Sequence, residues 1–130
     1  MLAMNRLLRE QPAVADAFWR DALIDASIFR EWVLNVGRRD ARSRVAHMLC
    51  EFAARRQASG LGAPEEFDLP FTQDKVADAT GMTSVHVNRT LRVLREEGAL
   101  IADGPKVRIA DWDLLQRIGG FDQAYLHCAA

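Results

Sequence analysis

TQDKVADATGMTSVHVNRTLRVLR, running from Thr72 to Arg95, is the stretch whose pattern decides the fold. Thr72 is a good N-cap, because its hydroxyl can accept one of the backbone N–H groups that a first helical turn leaves unpaired. It predicts a helix to about Ala79. Gly81 can adopt the positive φ of a tight turn, and Thr83 caps a second helix from Ser84 to about Glu97. Helix, short turn and helix together spell a helix-turn-helix. Ala77 is small where the two helices would cross, and Val76, Met82, Val87, Leu91 and Leu94 are the apolar positions that would lock them.

On the second helix, Val87, Leu91 and Leu94 project one way at helical spacing, leaving Val85, Asn88, Arg89 and Arg92 on the opposite side. That outer face has the chemistry of base reading. Arginine can bond bidentately to guanine O6 and N7, asparagine can pair with adenine or a phosphate, and valine can meet a thymine methyl. His86 lies between the faces, with no second ligand near it in sequence, so it is expected to touch backbone or phosphate. Thr72, Gln73, Thr83 and Ser84, at the two helix starts, and Lys106 in the following hairpin complete the expected DNA-facing set. An exposed arginine is ordinarily just solvated. Here turn glycine, crossing alanine, apolar lock, basic outer face and hairpin occur together, and the combination points to DNA readout.

Downstream, Gly98 closes the helix. Leu100 to Ala102 and Lys106 to Ile109 then read as a hairpin around Asp103-Gly104-Pro105. Asp111 caps a last short helix through Leu114, Leu115 and Ile118, which Gly119-Gly120 breaks before Phe121 to Leu126. Upstream, Phe67-Asp68-Leu69 reads as a short strand, Pro70 blocks helix continuation, and Gly60-Leu61-Gly62-Ala63-Pro64 divides the chain.

Before that breaker, Asp40 to Arg56 reads as a helix with Val45, Met48, Leu49, Phe52 and Ala53 on its apolar face. Its other face and approach carry Arg38, Arg39, Arg42, Arg44, Arg55 and Arg56, expected to be mostly solvated surface. From Pro12 to Gly37 a longer helix carries Ala15, Trp19, Ala22, Ala26, Phe29, Val33 and Val36, in steps of four and three. That is the period of a coiled-coil seam, so this stripe is the expected homodimer contact.

The chain has 130 residues, 49% of them hydrophobic and 27% charged, the composition of a folded globular protein. A formal net charge of −1 gives no global sign of a nucleic-acid partner. The case therefore rests on where the arginines lie. Cys50 and Cys128 form no metal-type cluster, and are expected as buried or free thiols in a reducing cytoplasm. No secretory signal pattern or membrane-length apolar run is legible, so a cytoplasmic protein without membrane contact is expected. No phosphate loop, Ser/His/Asp set or metal cluster suggests an enzyme, and no cofactor is expected. His47 and His127 are expected in structural roles only.

At these residues the chain resembles the CRP/FNR family of bacterial regulators. The likeness runs through Arg44-Val45-Ala46-His47-Met48-Leu49, Leu69-Pro70-Phe71-Thr72-Gln73, the helix-turn-helix, Leu94-Arg95-Glu96-Glu97-Gly98 and Ile109-Ala110-Asp111. It implies a mainly α (α+β) fold: a long dimerisation helix (1–37, with the end of a sensor region), then a winged helix-turn-helix domain (38–130) with a small β-hairpin. It also implies a homodimer on a palindromic site in double-stranded DNA, with RNA polymerase as a further candidate partner. The family's sensor β-roll has no counterpart, so a C-terminal portion or a truncated relative is expected. The usual reading motif has a Glu where Val85 stands, whereas its Arg is present as Arg89. The Thr-Ser pair that binds cyclic AMP in some members falls on Phe29-Arg30, and the cysteines of an iron-sulfur sensor are missing. The competing expectation is a dimeric protein-interaction module that keeps the scaffold without reading DNA. Such a module should expose apolar or acidic residues on the second helix, whereas this one exposes Arg89, Arg92 and Arg95.

Overall fold

Side-chain oxygens start four of the helices. Asp40 accepts the Ser43 N–H at 2.8 Å, Thr72 that of Lys75 at 3.4 Å, Thr83 that of His86 at 3.1 Å, and Asp111 that of Leu114 at 2.9 Å. Each such cap stabilises a helix by about 1 kcal/mol. The Ser43 N–H also holds the Asp40 carboxyl below its usual range.

The computed structural model describes residues 1–63, 66–68, 72–103 and 106–127. Leu69, Pro70 and Phe71, the Gly104-Pro105 turn, Cys128 and the Lys106 side chain lie outside what is described. The elements are α1 (Leu2–Glu10), α2 (Pro12–Arg38), α3 (Ala41–Ala58), β1 (Glu66–Asp68), α4 (Gln73–Thr80) and α5 (Ser84–Glu96). They continue with β2 (Leu100–Asp103), β3 (Lys106–Ile109), α6 (Trp112–Gly119) and a 3₁₀ turn (Gln123–Leu126).

Three features differ from the sequence expectation. Met1 to Pro12 holds a helix of its own, α1, joined to α2 through Gln11 alone. Gly37 does not end α2. The chain leaves the helix at Arg39 (φ −75°, ψ 142°), whose guanidinium is held by Glu31, Asn35 and the Gly120 carbonyl. The hairpin gains a third strand, in the order β1-β3-β2 with both pairings antiparallel, because β1 lays Phe67 opposite Val107. Phe67 is 3% exposed, so this strand also closes the core.

α3 forms the centre of that core. Val45, Ala46, Leu49, Cys50 and Ala53 are fully covered, and His47 and Glu51 are buried with them. A helix buried nearly all round shows little amphipathic contrast, so its sequence pattern understates how central it is. α6 crosses α3 at backbone distance. A Cβ on Gly119 would stand 2.6 Å from the His47 nitrogen, so only glycine fits there.

Candidate nucleic-acid interface

The joint between α4 and α5 is built as the sequence suggests. Gly81 adopts the left-handed conformation (φ 69°, ψ 37°), which a side chain disfavours. Val76, Ala77, Val87, Leu91 and Leu94 are buried, and Met82 packs against them. At about 25 cal/mol per Å² of apolar surface, this lock is the main force fixing the two helices' angle.

Polar contacts refine the joint. The Thr80 hydroxyl donates to the Val76 carbonyl at 2.7 Å. Arg44 donates to the Thr80 carbonyl at 2.8 Å and to the Arg39 carbonyl at 2.9 Å, so one guanidinium ties the end of α4 to the start of α3. On the outer side, Gln73 Nε2 donates to Asn88 Oδ1 at 2.8 Å, and the Ser84 hydroxyl donates to Asp74. These two contacts clasp the starts of α4 and α5.

The outer face of α5 stands clear. Val85 is 69% exposed, and His86, Asn88, Arg89, Arg92 and Arg95 are exposed around it. Among the described residues no side-chain hydrogen bond or ion pair engages Arg89, Arg92 or Arg95, so their donors all point to solvent. Thr72, Gln73 and Thr83 are exposed at the same edge, and Ser84 is partly covered. The Thr72 and Thr83 hydroxyls are already occupied as caps, and Asn88 has one acceptor site taken by Gln73. Lys106 opens β3, opposite Asp68 and Asp103, at the turn end of the hairpin.

Most of the arginines expected to be solvated around α3 are engaged. Arg42 pairs with Glu97 at 2.7 Å, which ties α3 to the end of α5 and raises the guanidinium's pKa. Arg55 reaches Glu51 at 3.3 Å, and Arg56 donates to the Leu61 carbonyl at 2.7 Å. Arg42 and Arg44 find partners 55 and 36 positions away, which no helix pattern reveals, whereas Arg55 and Arg56 bond within five residues of themselves.

The structure also contains a buried polar cluster that sequence reasoning missed. His47 Nδ1 lies 3.2 Å from the Gly119 carbonyl, and its Nε2 lies 3.0 Å from the Tyr125 hydroxyl. That hydroxyl donates to Glu51 at 2.7 Å, and Trp32 Nε1 of α2 donates to the same carboxylate at 3.1 Å. Burial first, then Arg39, lowers the His47 pKa against the opposing pull of Glu31, the Gly119 carbonyl and Glu51. The Gly119 carbonyl can only accept, so Nδ1 carries the proton of that bond. Burial and Glu51 push the Tyr125 hydroxyl up. The i, i+4 pair His47 and Glu51 among apolar neighbours was the available signal; Tyr125, far along the chain, had none.

α2 presents two unlike sides. Ile28, Trp32 and Asn35 face the core, and Asn35 donates to the Arg44 carbonyl at 3.3 Å. The expected seam lies on another face, with Trp19, Phe29 and Val33 exposed by 59%, 75% and 63%. Ala22 and Ala26 are exposed between them, and Ala15 is partly covered. Val36 sits at the lower end, beside the Gly81 turn. Burial pushes the Cys50 thiol up to about 12, so it stays protonated. Among the described residues no group of three or more metal-type side chains assembles, and no helix is long and apolar enough to cross a membrane.

Residues 43–118, from the first turn of α3 through most of α6, match the Crp-like helix-turn-helix domain. The chain belongs to that family. This Crp-like chain is 31% identical over 122 residues to the transcriptional activator protein FnrL of Cereibacter sphaeroides, covering 91% of itself and 49% of the relative. It is 29% identical over 108 residues to the nitrogen fixation regulation protein FixK of Azorhizobium caulinodans, covering 82% and 44%. The solved structure of FixK2 from Bradyrhizobium japonicum superposes with a TM-score of 0.76 at 22% identity, covering 89% of this chain and 57% of that one, which shows a shared fold. The Crp-like chain spans about half the length of the curated relatives it matches.

Proposed function

We propose that this Crp-like chain is a sequence-specific, double-stranded-DNA-binding transcription regulator of the CRP/FNR type. The observation that carries the reading is the outer face of α5, with three unengaged guanidinium groups on a helix held rigidly by α4, Gly81 and Arg44. Arg89, Arg92, Val85, Asn88 and His86 face the major groove, while Thr72, Gln73, Thr83, Ser84 and Lys106 lie along the phosphates. The residues before position 38 form the dimerisation arm, through Ala15, Trp19, Ala22, Ala26, Phe29, Val33 and Val36, and those after it form the DNA-binding domain. Open apolar side chains of this size favour a second copy, and a two-fold dimer fits a palindromic operator. FnrL is named a transcriptional activator. Control of transcription in the cytoplasm, with RNA polymerase as a further partner, extends to this chain by that likeness. A module that binds only protein has less support, because nothing in it would call for three free arginines.

Val85 makes the reading testable. A valine cannot accept a hydrogen bond from cytosine N4, and its methyl groups suit a thymine methyl. Selection from random duplex DNA should enrich a two-fold symmetric site with half-site centres about one helical turn apart. Val85→Glu should then shift one base pair in each half-site toward cytosine. Enrichment of the same base by both proteins would remove Val85 from the groove, and no enrichment at all would defeat the DNA reading.

A further inference from the structure

A cavity of about 410 Å³ opens between α2, the C-terminal half of α3 and the end of α4, a size that suits a small organic ligand. Its walls are mainly apolar, with Trp32 from α2, Met48 and Phe52 from α3, Leu61 from the following loop and Ala79 from α4. Three charged side chains also line it: Glu51, Arg55 and Arg56. The Glu51 carboxylate is already met by donors from Trp32, Tyr125 and Arg55. Arg55 spends one nitrogen on it and keeps a side chain 57% exposed. Arg56 donates to the Leu61 carbonyl and lies 5.9 Å from the centre of the Phe67 ring, yet its Nε is buried with no hydrogen-bond partner. Among the described residues no carboxylate pairs with Arg56.

Two guanidinium groups against one saturated carboxylate leave the lining with an excess positive charge. One buried N–H there lacks an acceptor, which a folded protein ordinarily supplies. We propose that the cavity binds a small carboxylic acid with an apolar body. Its carboxylate meets the Arg55 guanidinium, a turn of the Arg56 side chain brings its covered Nε–H to the same carboxylate, and the hydrocarbon part lies against Trp32, Met48 and Phe52. Such a ligand touches α2 and α4 at once, so it bridges the long arm and the helix-turn-helix. None of the lining residues lies on the outer face of α5, so the site can be tested without DNA.

The test is a titration of the ¹⁵N-labelled chain with sodium octanoate, followed by NMR, with octylammonium as the control of opposite charge. The expected result is saturable shifts at the Arg56 Nε–H, the Trp32 indole N–H and the Ala79 amide, with little response there to octylammonium. Arg56→Met should weaken binding roughly tenfold, the scale of one hydrogen bond to a charged group. Ala79→Leu, an exposed helical position whose larger side chain would fill the cavity, should abolish binding while the rest of the spectrum is retained. Shifts that never saturate, that centre on Trp19 and Phe29, that octylammonium reproduces, or that survive both substitutions would overturn the site.

Discussion

The arginines packed around α3 and those on α5 carry the same guanidinium group to opposite uses. Arg39, Arg42, Arg44 and Arg56 each end on a carbonyl or carboxylate of their own chain. Arg89, Arg92 and Arg95 meet no such acceptor among the described residues. A guanidinium has five N–H donors in a fixed fork, so whatever claims it first decides what it does. Around α3, carbonyls freed at helix ends and bends claim it, and the result is a scaffold. Along α5, the side chains leave a helix whose last-turn carbonyls at Val93, Leu94 and Arg95 are already taken by backbone N–H groups. Nothing nearby competes for them, so an external acceptor can.

If this division is real, substitutions on the two sides should fail in different assays. The largest effect is expected inside α3, where Glu51→Ala strands the Trp32 indole and the Tyr125 hydroxyl. Unfolding by urea should show a loss of about 3–5 kcal/mol. Arg44→Ala should cost about 2–3 kcal/mol in the same measurement, since it uncaps the Thr80 and Arg39 carbonyls together. Arg89→Ala should leave stability within about 0.5 kcal/mol while lowering affinity for the selected DNA site by about 1–3 kcal/mol and relaxing one base pair per half-site. An Arg89→Ala protein that melts early, or an Arg44→Ala protein that is stable but blind to DNA, would erase the distinction.

The smallest effect is a pH dependence from His47, whose folded pKa lies below its ordinary value because burial and Arg39 disfavour the imidazolium. The unfolded chain then binds the proton more readily. The stability contribution is fully present above about pH 6.5 and is lost as the pH falls through the folded pKa, at no more than about 1.4 kcal/mol per pH unit. Urea unfolding at pH 7.5 and 5.5 should show this decline, and His47→Gln should flatten it. A stability that rises toward pH 5.5 would mean that Glu51 dominates and holds an imidazolium.

Local chemistry explains why the helix-turn-helix that carries the candidate interface was legible in the sequence. Thr72, Thr83 and Asp111 cap helices within three residues of themselves, Gly81 needs no partner to turn, and Val87, Leu91 and Leu94 mark one face of one helix. The elements that escaped depend on segments far apart in the chain. His47 meets Gly119 across 72 positions and Arg39 meets Gly120 across 81, and no spacing rule reaches so far. β1 is a case in between, since Phe67 looked strand-like but its partner strand was not deducible. α1 lies in the short stretch from Met1 to Pro12, where Met4, Leu7 and Leu8 have helical spacing but span too few residues to set a period.

Trp32 would be the fulcrum of any tilt of α2, since its indole holds the buried Glu51. α2 has 27 residues and is therefore about 40 Å long, with roughly 30 Å of it lying between Trp32 and Pro12. Tilting it by about 10° around the Trp32–Glu51 bond would carry the Pro12 end through an arc of about 5 Å, more than the 3.4 Å or so between base pairs. Mechanical advantage runs both ways along such an arm. A modest pull at its far end arrives at the indole as a sub-ångström displacement with multiplied force, and one hydrogen bond of 3.1 Å stands where that force is delivered.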